Sequence, residues 1–180
     1  MVYLFLANGF EEVEAITPFD YIKRAGIEVC SVGVGGKRIT GSHEMTVEVD
    51  MTIDEYDPEK SNDMIILPGG MSGTQNLRSN FKVIECLKSA YANSSIAAIC
   101  AAPSILGELG FLKGKKACCF PGFEQTLRGA KISFEPVVID KNVITSRGPG
   151  TAQQFSFAII EYLAGKKEAD EIAGQVKWVL

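Results

Sequence analysis

An α/β fold, with a mainly parallel sheet covered by helices on both faces, follows from two features of the chain. Apolar runs of strand length alternate with segments of helical period, and those runs are almost unbroken in apolar residues. Alternation of this kind builds βαβ units, and a strand apolar on both sides is one buried on both sides. A third observation sets the scale: 180 residues, 46% hydrophobic and 22% charged, supply one domain with a real core. The whole chain, 1–180, reads as that single domain, without linker, repeat or low-complexity tract.

In chain order, Val2–Leu6 is the first strand. Glu11–Arg24 is a helix in which Thr17-Pro18 predicts a kink or restart, because Pro18 has no N–H for the Glu14 carbonyl and Thr17 would serve as a new N-cap. Val29–Val34 is the second strand. The Gly33-Val34-Gly35-Gly36 that ends it resembles part of a dinucleotide fingerprint, but Lys37-Arg38-Ile39-Thr40 continues as loop or strand, and without a helix there the motif has no phosphate site to offer. Thr46–Val49 alternates as a half-buried strand. Met64–Leu67 is central, and after its glycine turn Thr74 begins a short helix. Phe81–Tyr91, Ile96–Ile99 and Pro103–Leu109 read as helix, strand and helix. Val137–Ile139 and Val143–Thr145 flank Asp140-Lys141-Asn142 as a hairpin at the periphery of the sheet. Helices over Thr151–Leu163 and Glu168–Lys177 close the chain, with Gly26, Gly110 and Gly165 as helix stops.

Composition removes several functions. Eighteen Lys and Arg against 22 Asp and Glu give a net charge of −4, which leaves no excess cation to neutralise a nucleic-acid backbone. The five Cys, at positions 30, 86, 100, 118 and 119, form no Cys-x-x-Cys, and there is one His, so neither a zinc ribbon nor a dithiol centre is expected and no metal is assigned. No apolar run approaches the roughly 18 residues of a membrane span, and Met1–Leu6 is too short for a signal peptide. A reducing, cytoplasmic location is expected.

Open α/β sheets bind ligands at the carboxyl ends of their strands, and three strand ends stand out. The first is followed by Glu11, Glu12 and, one turn on, Glu14, where a nucleotide site would carry glycines and hydroxyls. FMN binding is therefore disfavoured, although acids in a first helical turn also suit the helix dipole. The third central run ends in Leu67-Pro68-Gly69-Gly70, whose bare N–H groups suit an oxyanion, or merely a tight turn. The strongest signal is Ile96-Ala97-Ala98-Ile99-Cys100-Ala101-Ala102-Pro103, a strand running into a Cys, small residues and a helix-starting proline. It has the form of a nucleophile elbow. A helix N-terminus at that place is expected to favour the thiolate of Cys100, whereas a buried apolar Cys would account for the pattern alone.

These pieces together resemble the ThiJ/PfpI superfamily, in the branch named for the human Parkinson-disease protein. Gly9-Phe10-Glu11-Glu12-Val13-Glu14, Arg24-Ala25-Gly26, Leu67-Pro68-Gly69-Gly70, Ala97-Ala98-Ile99-Cys100-Ala101 and Thr145-Ser146-Arg147-Gly148-Pro149-Gly150-Thr151 carry the likeness in the expected order. The resemblance implies a flavodoxin-like three-layer sandwich, a homodimer, and a nucleophilic Cys100 with Glu14 hydrogen-bonded to its sulfur. It further implies oxyanion-type N–H groups from Gly69, Gly70 and Ala101, and places Glu11 and Arg24 near the pocket and dimer edge. Two positions depart from the pattern. Phe120 stands where glyoxalase-type relatives commonly hold a His, and His43 lies where the human-like branch has an Arg at the dimer edge, either solvated or leaning into a partner's pocket. Cys118 and Cys119 read as packing residues.

Three activities follow from the resemblance. A cofactor-independent glyoxalase or deglycase would use Cys100 on 2-oxoaldehydes or their glycated adducts, with Glu14 or Glu11 moving the proton. A redox sensor or chaperone would act through oxidation of Cys100. A Cys peptidase or amidase needs a Cys–His pair that Phe120 does not provide, and ranks last.

Overall fold

The computed structural model describes residues 1–59 and 62–179. The chain runs through β1 (Val2–Ala7), α1 (Glu12–Arg24), β2 (Val29–Val34), β3 (Arg38–Thr40), β4 (Thr46–Glu48), β5 (Met51–Thr52) and β6 (Met64–Leu67). It continues through α2 (Met71–Ser79), α3 (Phe81–Asn93), β7 (Ser95–Ile99), α4 (Pro103–Glu108), β8 (Lys116–Ala117) and β9 (Lys131–Ile132). The last elements are β10 (Val137–Asp140), β11 (Val143–Ser146), α5 (Ala152–Ala164) and α6 (Lys166–Gln175). Seven strands form one sheet in the order β10-β11-β7-β6-β1-β2-β5, parallel throughout except for β10 against β11. The pairs β3-β4 and β8-β9 stand apart as two-stranded sheets.

Successive side chains of a strand point to opposite faces, and β1 shows what that does here. Tyr3, Phe5 and Ala7 enter one apolar cluster with Leu77 of α2, Leu87 of α3 and Ile105 of α4. Val2, Leu4 and Leu6 enter a second with Ile22 of α1, Ile159 of α5 and Ile172 of α6. The result is the expected three-layer sandwich. Among the described residues, no helix is long and apolar enough to cross a membrane.

Three sequence expectations are corrected. Helix α1 runs unbroken across Pro18, since the ring only deletes one hydrogen bond to the Glu14 carbonyl and the helix around it is held by burial of Ala15, Tyr21 and Ile22. Its N-cap is Glu11, whose side chain accepts the Glu14 N–H, not Thr17. The strand β11 is not peripheral: it pairs in parallel with β7 and is buried along its length, so that of the hairpin's two strands β10 alone lies at an edge of the sheet. Helix α2 begins at Met71, ahead of Thr74, and buries only Gly73, Thr74 and Leu77, too few apolar positions to show a helical period. Because Pro18 forgoes a helix bond, Pro18→Ala is expected to stabilise the fold by about 1–3 kcal/mol, read as a Tm several degrees higher by calorimetry.

Candidate active site

Strands β7, β6 and β1 are neighbours, and the chain leaves β1 toward β2 on one side while β6 lies on the other. Such a reversal opens a crevice at the carboxyl ends. Into it come Glu11 and Glu14 after β1, Gly69-Gly70 after β6 and Cys100 after β7. The Glu11 N–H donates to the Gly69 carbonyl at 3.0 Å, tying the first two loops together.

Cys100 has φ 66°, one of few non-glycine residues in the left-handed region, a conformation that costs about 1–3 kcal/mol and persists only where the surroundings impose it. Here they do. The Cys100 N–H donates to the Ser146 carbonyl at 3.0 Å, and its carbonyl accepts the Phe120 N–H at 2.9 Å. Behind the elbow, Arg78 Nη2 donates to Ser104 Oγ at 2.5 Å and Ser104 Oγ donates to the Ala101 carbonyl at 2.6 Å. The turn after Cys100 is thereby clamped to α2, and the backbone N–H groups of Gly70 and Ala101 both reach the sulfur.

Glu14 is fully buried. Its Oε2 accepts the Gly69 N–H at 2.7 Å, its side chain is hydrogen-bonded to Cys100, and Oε1 is buried without a hydrogen-bond partner. Burial is the main reason its carboxyl is raised to about 7, with the nearby Glu11 charge adding to it and the bonds from Cys100 and Gly69 opposing it. The Cys100 thiol is pushed up to about 12, by burial first and then by the charge and hydrogen bond of Glu14, against the N–H groups of Gly70 and Ala101. This upward direction runs against the expected resting thiolate. Helix α4 has only six residues, and its dipole is no match for a desolvated sulfur beside a carboxylate.

Gly69 is placed differently from the oxyanion role expected of it. Its N–H is already given to Glu14, which leaves Gly70 and Ala101 as donors at the sulfur. What the site needs from Gly69 is its missing side chain: a Cβ there would lie 2.6 Å from both Cys100 Cβ and Glu14 Oε2. Gly69→Ala is therefore expected to force the pair apart, with a loss of about 10²-fold in Cys100 reactivity toward a thiol reagent and about 1–3 kcal/mol of stability. Alkylation kinetics and denaturant unfolding check both.

A cavity of about 210 Å³ stands over the sulfur, lined by Glu11, Glu14, Gly70, Met71, Cys100, Ala101, Phe120, Phe123 and Pro149. Phe120 is in this wall. Arg24 is not: it sits in the last turn of α1, bonded to Asp20 Oδ2 at 2.7 Å, because the helix carries it away from the strand ends. His43 is also outside the cavity. Its Nδ1 lies 2.7 Å from Glu12 Oε2 and its N–H donates to Glu12 Oε1 at 2.6 Å, so it leans on its own chain. Burial opposes the Glu12 charge, but the ring and N–H of His43 and the Ser42 hydroxyl outweigh it and hold that carboxyl below the usual range. Glu11, Glu12 and His43 bring ligand atoms within 4.8 Å of one another; His43 and Glu12 are partners of each other, and Glu11 Oε2 accepts the Glu14 N–H at 2.7 Å. Cys118 and Cys119 are buried, Cys118 against the Thr145 hydroxyl, as packing residues are. Met71 and Phe123 also line the cavity, and as apolar loop-side residues they carry no motif that marks them in the sequence; Pro149, which lines it too, belongs to the Thr145–Thr151 motif but is given no role there.

A strained Cys at a strand-to-helix elbow, a buried carboxyl bonded to it and two converging N–H groups define a nucleophile-elbow α/β protein. The DJ-1/PfpI family model matches residues 1–162, and the chain belongs to that family. It is 41% identical over 167 residues to Protein DJ-1 homolog A of Arabidopsis thaliana, covering 91% of this chain and 42% of that protein. The chain thus spans about two fifths of that relative's length. Against the Parkinson disease protein 7 homolog of Danio rerio the identity is 38% over 177 residues, covering 96% of this chain and 92% of the other. Deglycase PfpI of Pyrococcus furiosus is 37% identical over 154 residues, covering 83% and 92%. Among solved structures, oxidised Toxoplasma gondii DJ-1 superposes with a TM-score of 0.95 at 32% identity, covering 99% of this chain and 98% of the other.

Proposed function

We propose that the protein is a cofactor-independent glyoxalase or deglycase, acting through Cys100 on 2-oxoaldehydes or their glycated adducts. The observation that carries this is the Glu14–Cys100 pair: a carboxyl poised near neutrality, bonded to an un-ionised thiol at the floor of a cavity. A general base works best with a pKa near the operating pH. Ionised Glu14 takes the thiol proton as sulfur attacks the aldehyde carbon, and the N–H groups of Gly70 and Ala101 hold the developing oxyanion. Protonated Glu14 returns that proton to the oxygen, completing a hemithioacetal. The same carboxylate then removes the aldehydic C–H proton, with Glu11 as the second acid of the cavity, and protonation at the neighbouring carbon gives a thioester of a 2-hydroxy acid. Water releases the acid and restores the thiol. Methylglyoxal plus water becomes lactate, with no cofactor consumed.

Relatives named deglycases, from Pyrococcus furiosus and Pyrococcus horikoshii, support the reading. Phe120 weighs on the other side: without a second proton carrier there, the rate is expected to be lower by about 10²–10⁴ than in an enzyme that has one. A homodimer is part of the proposal, supported by the exposed apolar side chains of Val13 and Ile16 on α1. A reducing, cytoplasmic location accords with the buried reduced thiols of Cys86, Cys118 and Cys119. The test is methylglyoxal loss and lactate formation by the protein and by Cys100→Ser. Activity unchanged in the variant would sink the mechanism. A second reading, a sensor that works by oxidation of Cys100, is favoured by the likeness to an oxidised DJ-1 structure. It wins if the protein is inert and peroxide adds two oxygens to Cys100 by intact mass.

A further inference from the structure

We propose that the cavity over Cys100 selects uncharged 2-oxoaldehydes bearing an aromatic or bulky apolar group, and that Phe120 and Phe123 are the residues that set this preference. The proposal rests on the function above and names its substrate class. Phe120 and Phe123 meet edge to face, with ring centroids 6.4 Å apart and planes at 81°, and together with Met71 and Pro149 they wall the cavity above the sulfur. Two such rings offer a third one both a face and an edge, the arrangements aromatic groups prefer. The space is adequate: the cavity measures about 210 Å³, and an apolar protein cavity of about 150 Å³ accommodates benzene.

Charge points the same way. Among the described lining residues none is cationic, and Glu11 and Glu14 are acids, so a phosphorylated or carboxylated aldehyde has no counter-charge at the reacting end. Arg147 lines a separate, more open cleft of about 310 Å³ that shares Phe120 and Pro149 with this one. A small polar aldehyde such as glyoxal leaves the aromatic wall in contact with water, whereas an aryl group displaces that water and gains burial.

The experiment compares kcat/KM for phenylglyoxal, which takes up water to give mandelate, with that for methylglyoxal, in the wild type, Phe120→Ala and Phe123→Ala. A ratio of about tenfold or more in favour of phenylglyoxal is expected for the wild type, falling about three- to tenfold in either variant. A wild-type ratio at or below 1, with methylglyoxal turned over, overturns the aryl pocket and leaves the proposed function standing. If neither aldehyde is consumed, the proposed function fails, and the pocket is judged by alkylation of Cys100 with N-benzyl iodoacetamide against iodoacetamide. Each rate is normalised to free cysteine and followed by intact mass, with Cys100→Ser as control. A normalised rate for the benzyl reagent several-fold above the parent, lost in Phe120→Ala, supports the pocket, and equal rates overturn it.

Discussion

Cys100→Ser is expected to lower kcat/KM for 2-oxoaldehydes by at least about 10³-fold, while the protein keeps its fold and its Tm to within a few degrees. Oxygen for sulfur is a small change in size, and a serine at φ 66° bears the same backbone cost as the cysteine it replaces. The chemistry is another matter. Glu14, raised to about 7, is a base matched to a thiol that loses its proton while it attacks, and a hydroxyl is much harder to deprotonate. The later steps fail as well, because the proposed intermediate is a thioester, whose carbonyl yields to water more readily than the ester a serine would form. Lactate formation, circular dichroism and a thermal melt on the same preparation separate lost chemistry from lost structure. A variant that retained a tenth of the wild-type rate would show that Cys100 positions the substrate without bonding to it. Peroxide treatment supplies an independent control, since the oxygens added at Cys100 in the wild type must be missing from the variant.

How far this site could be read in advance depended on how local its signals are. The elbow is written in consecutive residues, Ile99-Cys100-Ala101-Ala102-Pro103, because the strand, the tight bend and the helix start all act over a few peptide units. The convergence of Glu14, Gly69-Gly70 and Cys100 was legible at one remove: each follows an apolar run, and a parallel sheet collects strand ends on one side. The protonation of Cys100 was not legible, because it depends on how much of the sulfur is covered and on a carboxyl 86 positions away in the chain. The same holds for Gly69, whose significance lies in atoms it would touch and not in its own turn. Pro18 shows the converse: a strong local signal for a helix break, overridden by the burial of α1 against the sheet.

Glu14→Gln is expected to move activity and stability in opposite directions, and the pH at which each changes identifies the carboxyl as the cause. Glutamine keeps the shape and accepts the Gly69 N–H with its carbonyl oxygen in the place of Oε2, which puts its amide where Oε1 has no partner, and it neither takes nor returns a proton. Removing a general acid–base residue costs about 10²–10⁴ in rate. In the wild type, kcat/KM should fall as pH drops through about 7, where Glu14 takes up its proton and can no longer receive one from the thiol. That limb should be missing from the variant. Stability runs the other way. The carboxyl titrates near 4.5 when unfolded and at about 7 when folded, so between those values the native state binds more protons than the unfolded one. Unfolding free energy therefore falls as pH rises from 4.5 to 7, by about 3 kcal/mol in all, and is level beyond. Glutamine has nothing to ionise, so the difference in stability between variant and wild type should shift in the variant's favour by as much as about 3 kcal/mol between pH 4.5 and pH 8, on top of a pH-independent cost for burying its amide at the unpartnered Oε1 position. Urea unfolding at the two pH values measures this directly. A wild type whose stability does not fall across that interval would mean that Glu14 is not a buried acid with a raised pKa, and the proposed base would be lost with it. If both trends appear, the protein carries at Glu14 a charge its fold would be more stable without, held in place for the proton it can move.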